Sequence, residues 1–164
     1  MEKDVVISVM GMQKFEQQDS DKVELVTEGH LVREAGNYIL TYHESEMTGL
    51  EGTMTTIQVN KAQDQVTLIR VGQFNSQMVF QEGRRHLSMY NTPYGAMAVG
   101  VNTRHMYAEL NDVQGEIEVD YNIEVDHSVA GRNIFKISFK EAEGASLKQL
   151  VRADRAARIL LYKV

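Results

Sequence analysis

The chain contains no cysteine. Disulfides, thiolate nucleophiles and Cys-based zinc or iron–sulfur sites are therefore excluded. It has no tryptophan and a single proline, Pro93. With twelve glycines in 164 residues it belongs to neither the collagen-like nor the linker-rich classes. Long apolar runs are missing too: nothing approaches the roughly 18 consecutive apolar residues that a membrane-spanning helix requires. The first residues, Met-Glu-Lys-Asp-Val-Val-Ile-Ser-Val, lack the basic flank and apolar core of a signal peptide. These features lead us to expect a cytoplasmic protein with no membrane contact.

What is present suits one domain with a real core: 43% hydrophobic and 24% charged residues. The nine methionines suit irregular packing and adaptable apolar surfaces. The net charge of −6 is unevenly spread. From Ala145 onward, five bases (Lys148, Arg152, Arg155, Arg158, Lys163) face one acid, Asp154, so this segment is +4 and residues 1–144 carry −10. The acidic body argues against a nucleic-acid-binding face.

Period-two alternation dominates. Val5, Ile7 and Val9 open a strand of about eight residues, and the polar run Gln17–Asp21 breaks it. A second strand runs from Lys22 to about Arg33, with Gly29 inside it marking a bulge or bend. Glu34–Asn37 turns into a third strand, on which Tyr38, Leu40 and Tyr42 share a face. Thr53, Thr55, Ile57 and Val59 share a face of the fourth, and Val66–Val71 forms the fifth. Further strands are expected at Gln77–Phe80, His86–Tyr90, Ala96–Val101 and Met106–Leu110. The clearest alternation is Ile117, Val119, Tyr121, Ile123 and Val125 against Glu116, Glu118, Asp120, Asn122 and Glu124. Phe135, Ile137 and Phe139 follow, with Lys136 and Lys140 placed to pair across the ladder with the acidic row. Many short strands joined by tight turns describe an antiparallel meander, and barrel closure removes its edges. The fold class is therefore all-β: residues 1–144 form the barrel. Residues 145–164 form a C-terminal amphipathic helix, carrying Leu147, Leu150, Val151, Ala157 and Leu161 at helical spacing.

The richest stretch is Tyr42–Thr56. It holds three carboxylates, four threonines, a histidine, and Gly49 and Gly52 at its turn, with little to bury. It is expected to form part of the wall of any site. Alternation also carries polar residues onto apolar faces. Tyr42 and Glu44 follow Tyr38 and Leu40; Thr53 and Thr55 precede Ile57 and Val59; Arg70 follows Val66 and Leu68; Tyr90 shares its face with His86 and Ser88. Arg70 is the sharpest, because an inward guanidinium must be paired. Glu44, or a bound anion, would serve.

Thr27-Glu28-Gly29, Tyr42 with Glu44, Gly49-Leu50-Glu51-Gly52-Thr53, Val66-Thr67-Leu68-Ile69-Arg70, Asn75-Ser76, Met78-Val79-Phe80 and Thr92-Pro93-Tyr94-Gly95 occur in that order. In these blocks, across residues 4–141, the chain resembles the uncharacterised bacterial proteins typified by YwiB. The resemblance implies a calycin-like, lipocalin-related β-barrel from a bacterium. It implies no activity, substrate or catalytic residue. The segment after Glu141 departs from the usual end of the pattern.

The expectation is a non-enzymatic barrel that binds a small, partly apolar or anionic ligand in its lumen through Tyr42, Glu44, Thr53, Thr55, Arg70, Met78 and Tyr90. The alternative is an interaction or dimerisation module using the basic helix or an open barrel edge; the chain would then be a monomer or a homodimer. No catalytic residue is assigned. The pairs Glu28/His30 and His43/Glu46 do not make a metal site, since two ligands are too few. No Gly-x-Ser-x-Gly nucleophile motif is present, and the Gly49/Gly52 pair lacks the lysine and helix of a phosphate loop. No cofactor is identified.

Overall fold

The computed structural model describes residues 1–15, 18–73 and 75–142. Ten strands follow one another in chain order: β1 (Glu2–Phe15), β2 (Gln18–Glu34), β3 (Asn37–His43), β4 (Met54–Val59), β5 (Val66–Val71), β6 (Asn75–Phe80), β7 (Arg85–Thr92), β8 (Gly95–Leu110), β9 (Gln114–Val125) and β10 (Ser128–Glu141). Each is antiparallel to the next. The ladder between β1 and β10, from Val5 opposite Glu141 to Lys14 opposite Arg132, closes the barrel. Closure satisfies the edge hydrogen bonds that an open meander would leave unpaired.

Alternation places one residue in two inside. Val5, Ile7, Leu31, Leu40, Ile57, Val59, Val66, Leu68, Phe80, Val119, Ile137 and Phe139 form a continuous buried core. On β9 the acidic residues Glu116, Glu118 and Glu124 face outward, as the sequence pattern requires. Lys136 lies 3.7 Å from Glu118. Lys140 sits opposite the neutral Gln114 instead of an acid, so only one of the two lysines pairs with the acidic row.

Three sequence expectations are corrected. The first strand is fourteen residues long, not eight, and β2 already begins at Gln18. Hairpin hydrogen bonding between β1 and β2 carries the polar residues into the ladder, with Gln13 opposite Asp21. The strands expected at Ala96–Val101 and Met106–Leu110 are one strand, β8. Its register on β9 shifts between Thr103 and His105, so Arg104 is an extra residue that bends the strand without ending it. Gly29 marks no bulge, for it sits in unbroken register opposite Val5. Its glycine serves close packing: a Cβ there would overlap Ile7 Cδ1 and lie 2.9 Å from the Thr41 carbonyl oxygen. The expected C-terminal helix, residues 145–164, lies outside the described residues.

One end of the barrel is sealed by polar groups that cross it. The Gln63 amide, on the β4–β5 turn, donates to Leu110 O at 3.0 Å and accepts from Leu110 N at 2.9 Å. Tyr38 Oη donates to Asp112 Oδ1 at 3.0 Å, and Arg33 Nη2 approaches Asp112 Oδ2 at 3.3 Å. Beneath them Phe139 and Leu110 crowd Gly115 so closely that an added Cβ would overlap both. The opposite end carries the β3–β4 connection with its single 3-10 turn, Glu46–Thr48.

Candidate functional site

Among the described residues, the lumen is packed at the sealed end and open at the other. Phe80, Tyr121 and Phe135 meet edge to face or tilted, with ring centroids 4.7, 5.3 and 6.1 Å apart, and form a floor. Above them is a cavity of about 440 Å³, within the range of small-molecule sites. Its lining includes Tyr42, Glu44, Arg70, Met78 and Tyr90. Thr48 and Leu50 of the β3–β4 connection also line it, so this hairpin forms part of the wall.

The register explains which side of the lumen is polar. Tyr42 lies opposite Thr55, Thr55 opposite Arg70, Arg70 opposite Ser76, and Ser76 opposite Tyr90. Five consecutive strands, β3 to β7, thus place a polar side chain at one level of the barrel. The facing wall is apolar, built by Val9 of β1, Leu25 of β2, Ile123 of β9 and Phe135 and Ile137 of β10, with Asn133 and Gln13 nearer its edge.

Within the belt, Glu44 is held first by its backbone, whose N–H donates to Thr53 O at 2.9 Å. Its carboxylate Oε1 accepts from Thr55 Oγ1 at 2.7 Å. Arg70 Nε lies 3.9 Å from the same oxygen, too far for a hydrogen bond, and this buried Nε has no hydrogen-bond partner. The two side chains differ in exposure: 2% for Glu44 and 27% for Arg70. Both line the cavity, Arg70 partly exposed and Glu44 almost wholly buried.

The phenols remain neutral donors at ordinary pH. Burial, followed by the neighbouring Glu44 charge, pushes Tyr42 well above the usual phenol range. Burial pushes Tyr121 up to about 12, and it raises Tyr90 as well. Tyr90 Oη reaches the weak acceptor Met78 Sδ at 3.9 Å and has Ser76 as its other hydrogen-bond neighbour.

Of the seven residues expected from sequence, five line the cavity. Thr55 is fully buried behind Glu44 as its hydrogen-bond donor. Thr53 is buried beneath the hairpin, where it packs against Gly72. Ser76, Tyr121 and Asn133 were not among the seven. Tyr121 reads simply as core until its hydroxyl is asked for a partner. Asn133 is in phase with Phe135, Ile137 and Phe139, and extending that alternation by one step identifies it.

His30 does not approach a metal-like partner on its own strand. Its Nε2 lies 2.6 Å from Glu2 Oε1 and its Nδ1 3.3 Å from Asp4 Oδ1. Among the described residues no group of three or more His, Asp or Glu side chains is placed to hold a metal ion. Nor does any described helix have the length and apolarity to cross a membrane.

Comparison with known proteins agrees with this architecture. The crystal structure of the ywiB protein from Bacillus subtilis superposes with a TM-score of 0.75 at 18% sequence identity, covering 87% of this chain and 94% of that one. At that identity the likeness concerns the fold. No curated protein matches the chain. Residues 7–137 match the family model described as "Domain of unknown function (DUF1934)". The chain therefore belongs to this YwiB-like, uncharacterised family.

Proposed function

We propose that the protein is a non-enzymatic, calycin-like barrel that binds a small, partly apolar ligand in its lumen. The observation that carries this reading is the cavity of about 440 Å³ above the aromatic floor, apolar on one wall and polar on the other. A lumen meant only for packing would be filled by side chains at interior density along its whole length. Here the filling stops at Phe80, Tyr121 and Phe135. The test is native mass spectrometry of freshly purified protein, followed by the same sample denatured. A co-purifying mass that is lost on denaturation supports the reading and identifies the ligand. A clean apo mass, together with no thermal stabilisation across a library of small amphiphiles, removes it.

A second reading, self-association, is favoured by one surface. The strands β6 and β7 share only the register pairs Asn75–Asn91 and Ser76–Tyr90. Beside this short seam Val71, Leu87 and Met89 are exposed, Leu87 to 74%. Adjacent exposed apolar side chains of this kind mark contact surfaces. Sedimentation of the wild type and of the Leu87→Glu/Met89→Glu double variant decides it. A dimer that the variant turns into a monomer supports this reading, and a monomer in both removes it.

A further inference from the structure

The polar groups of the cavity are not spread at random. Apart from Gln13, Tyr121 and Asn133 they lie on the β3-to-β7 side, and among the described residues the one cation that lines the cavity is Arg70. Its neighbour Glu44 does not satisfy it. The separation is 3.9 Å, through one nitrogen, and Thr55 holds the carboxylate oxygen from the other side. A guanidinium presents five donors in a planar fork that matches a carboxylate. Tyr90, two strands away at the same level, has a hydroxyl that meets Ser76 and, at 3.9 Å, the Met78 thioether sulfur. A guanidinium whose buried Nε has no hydrogen-bond partner, with a phenol at the same level, describes a place for an oxygen-rich group.

The opposite wall sets the rest of the ligand. Val9, Leu25, Ile123 and Phe135 offer no polar atom to a bound molecule except their paired backbone. Charge limits the head group. Among the described residues, Arg70 and Glu44 are the only charged side chains that line the cavity, and the remaining polar lining is neutral. A dianion such as a phosphate monoester would meet Glu44 with no second cation to balance it, whereas a single negative charge can be shared across the Arg70 fork.

Building on the lumen-binding reading, we propose that the ligand is a monocarboxylate with an apolar body, its head group on Arg70 and the Tyr90 hydroxyl and its body against the β1–β2–β9–β10 wall. Thr55 has a positioning role in this arrangement, because it draws Glu44 back from the guanidinium and leaves the fork free.

The experiment is a calorimetric titration of the full chain with octanoate and with octanol, which share an apolar body and differ in the head group. Wild type is expected to bind octanoate about tenfold or more tightly than octanol, the usual advantage of a charge-assisted hydrogen-bonded pair. Arg70→Met is expected to abolish that preference while octanol still binds. Tyr90→Phe, which alters no charge and keeps the ring in place, is expected to reduce the preference severalfold, and it decides the matter if Arg70→Met fails to fold. Equal affinity for the two probes in wild type overturns the carboxylate proposal and leaves the lumen reading standing. Binding of neither probe counts against both. A preference for octanoate that survives in Arg70→Met and Tyr90→Phe places the anion elsewhere and overturns the proposal.

Discussion

Arg70 Nε lies 3.9 Å from Glu44 Oε1, while Thr55 Oγ1 donates to that same oxygen at 2.7 Å. The carboxylate is thus held by the threonine, with Tyr42 as a further hydrogen-bond partner, and only approached by the guanidinium. The pair resembles an incomplete ion pair more than a structural bridge, and its energetic behaviour follows from that.

Replacing Glu44 by Gln removes the charge that faces a half-buried cation. The desolvated guanidinium then stands alone, and the expected loss is about 1–3 kcal/mol. Thr55→Val, which deletes one hydrogen bond but preserves shape, is expected to cost less, about 1 kcal/mol. Urea unfolding followed by tyrosine fluorescence or far-ultraviolet dichroism checks both. A Glu44→Gln protein as stable as wild type would show that Arg70 needs no counter-charge.

His30 clasps the first residues of β1 to β2 through Glu2 and Asp4. The hydrogen bond to Glu2 is the main cause of a raised imidazole pKa, with burial opposing it. The folded state therefore holds this proton more tightly than the unfolded chain, whose histidine titrates near 6.5. The clasp's contribution is complete below about pH 6.5 and disappears as pH rises through the folded value. Because these groups are exposed, its size is below about 1 kcal/mol. His30→Gln should melt lower than wild type at pH 5.5 and coincide with it at pH 9.

Asp120 and Arg132 form the opposite case, a two-point bridge between β9 and β10. Arg132 Nε lies 2.9 Å from Oδ1 and Nη2 lies 2.6 Å from Oδ2. These bonds hold the Asp120 carboxyl below its ordinary value, against the effect of burial. Stability from this pair is present above about pH 4, the unfolded carboxyl value, and is lost as pH falls through the lower folded one. Arg132→Ala should be less stable at neutral pH, with the gap to wild type closing in acid. Arg132→Lys should recover only part of it, since an ammonium cannot span both oxygens.

Gly29→Ala should destabilise by about 1–3 kcal/mol, the range for overpacking a rigid interior. Its new methyl group would meet Ile7 Cδ1 and the Thr41 carbonyl. Ile7→Val removes the closest of these atoms. The double variant should therefore be more stable than the sum of the single effects, although not fully restored, because the carbonyl cannot move away. Simple additivity in a double-mutant cycle would show that Ile7 is not what excludes the side chain.

Sequence alone determined the all-β meander and, on β1, β3, β4, β9 and β10, which residues point inward. A period of two is set by the pleat itself, and the turn expected at Glu34–Asn37 does join β2 to β3. The same rule placed Tyr42, Glu44, Thr55, Arg70 and Tyr90 inside. It could not show that Gly29 is governed by Ile7, that Arg104 is an extra residue within one long strand, or that Gln63 reaches Leu110 across the barrel end. Those relations join residues far apart in the chain. Tertiary structure also decided how far apart Arg70 and Glu44 lie, and that Ser76 and Tyr90 stand level with them. Alternation states the face of a side chain but not its height in the barrel. Height is set by register and by closure, and closure arises only when β1 pairs with β10 after all ten strands are in place.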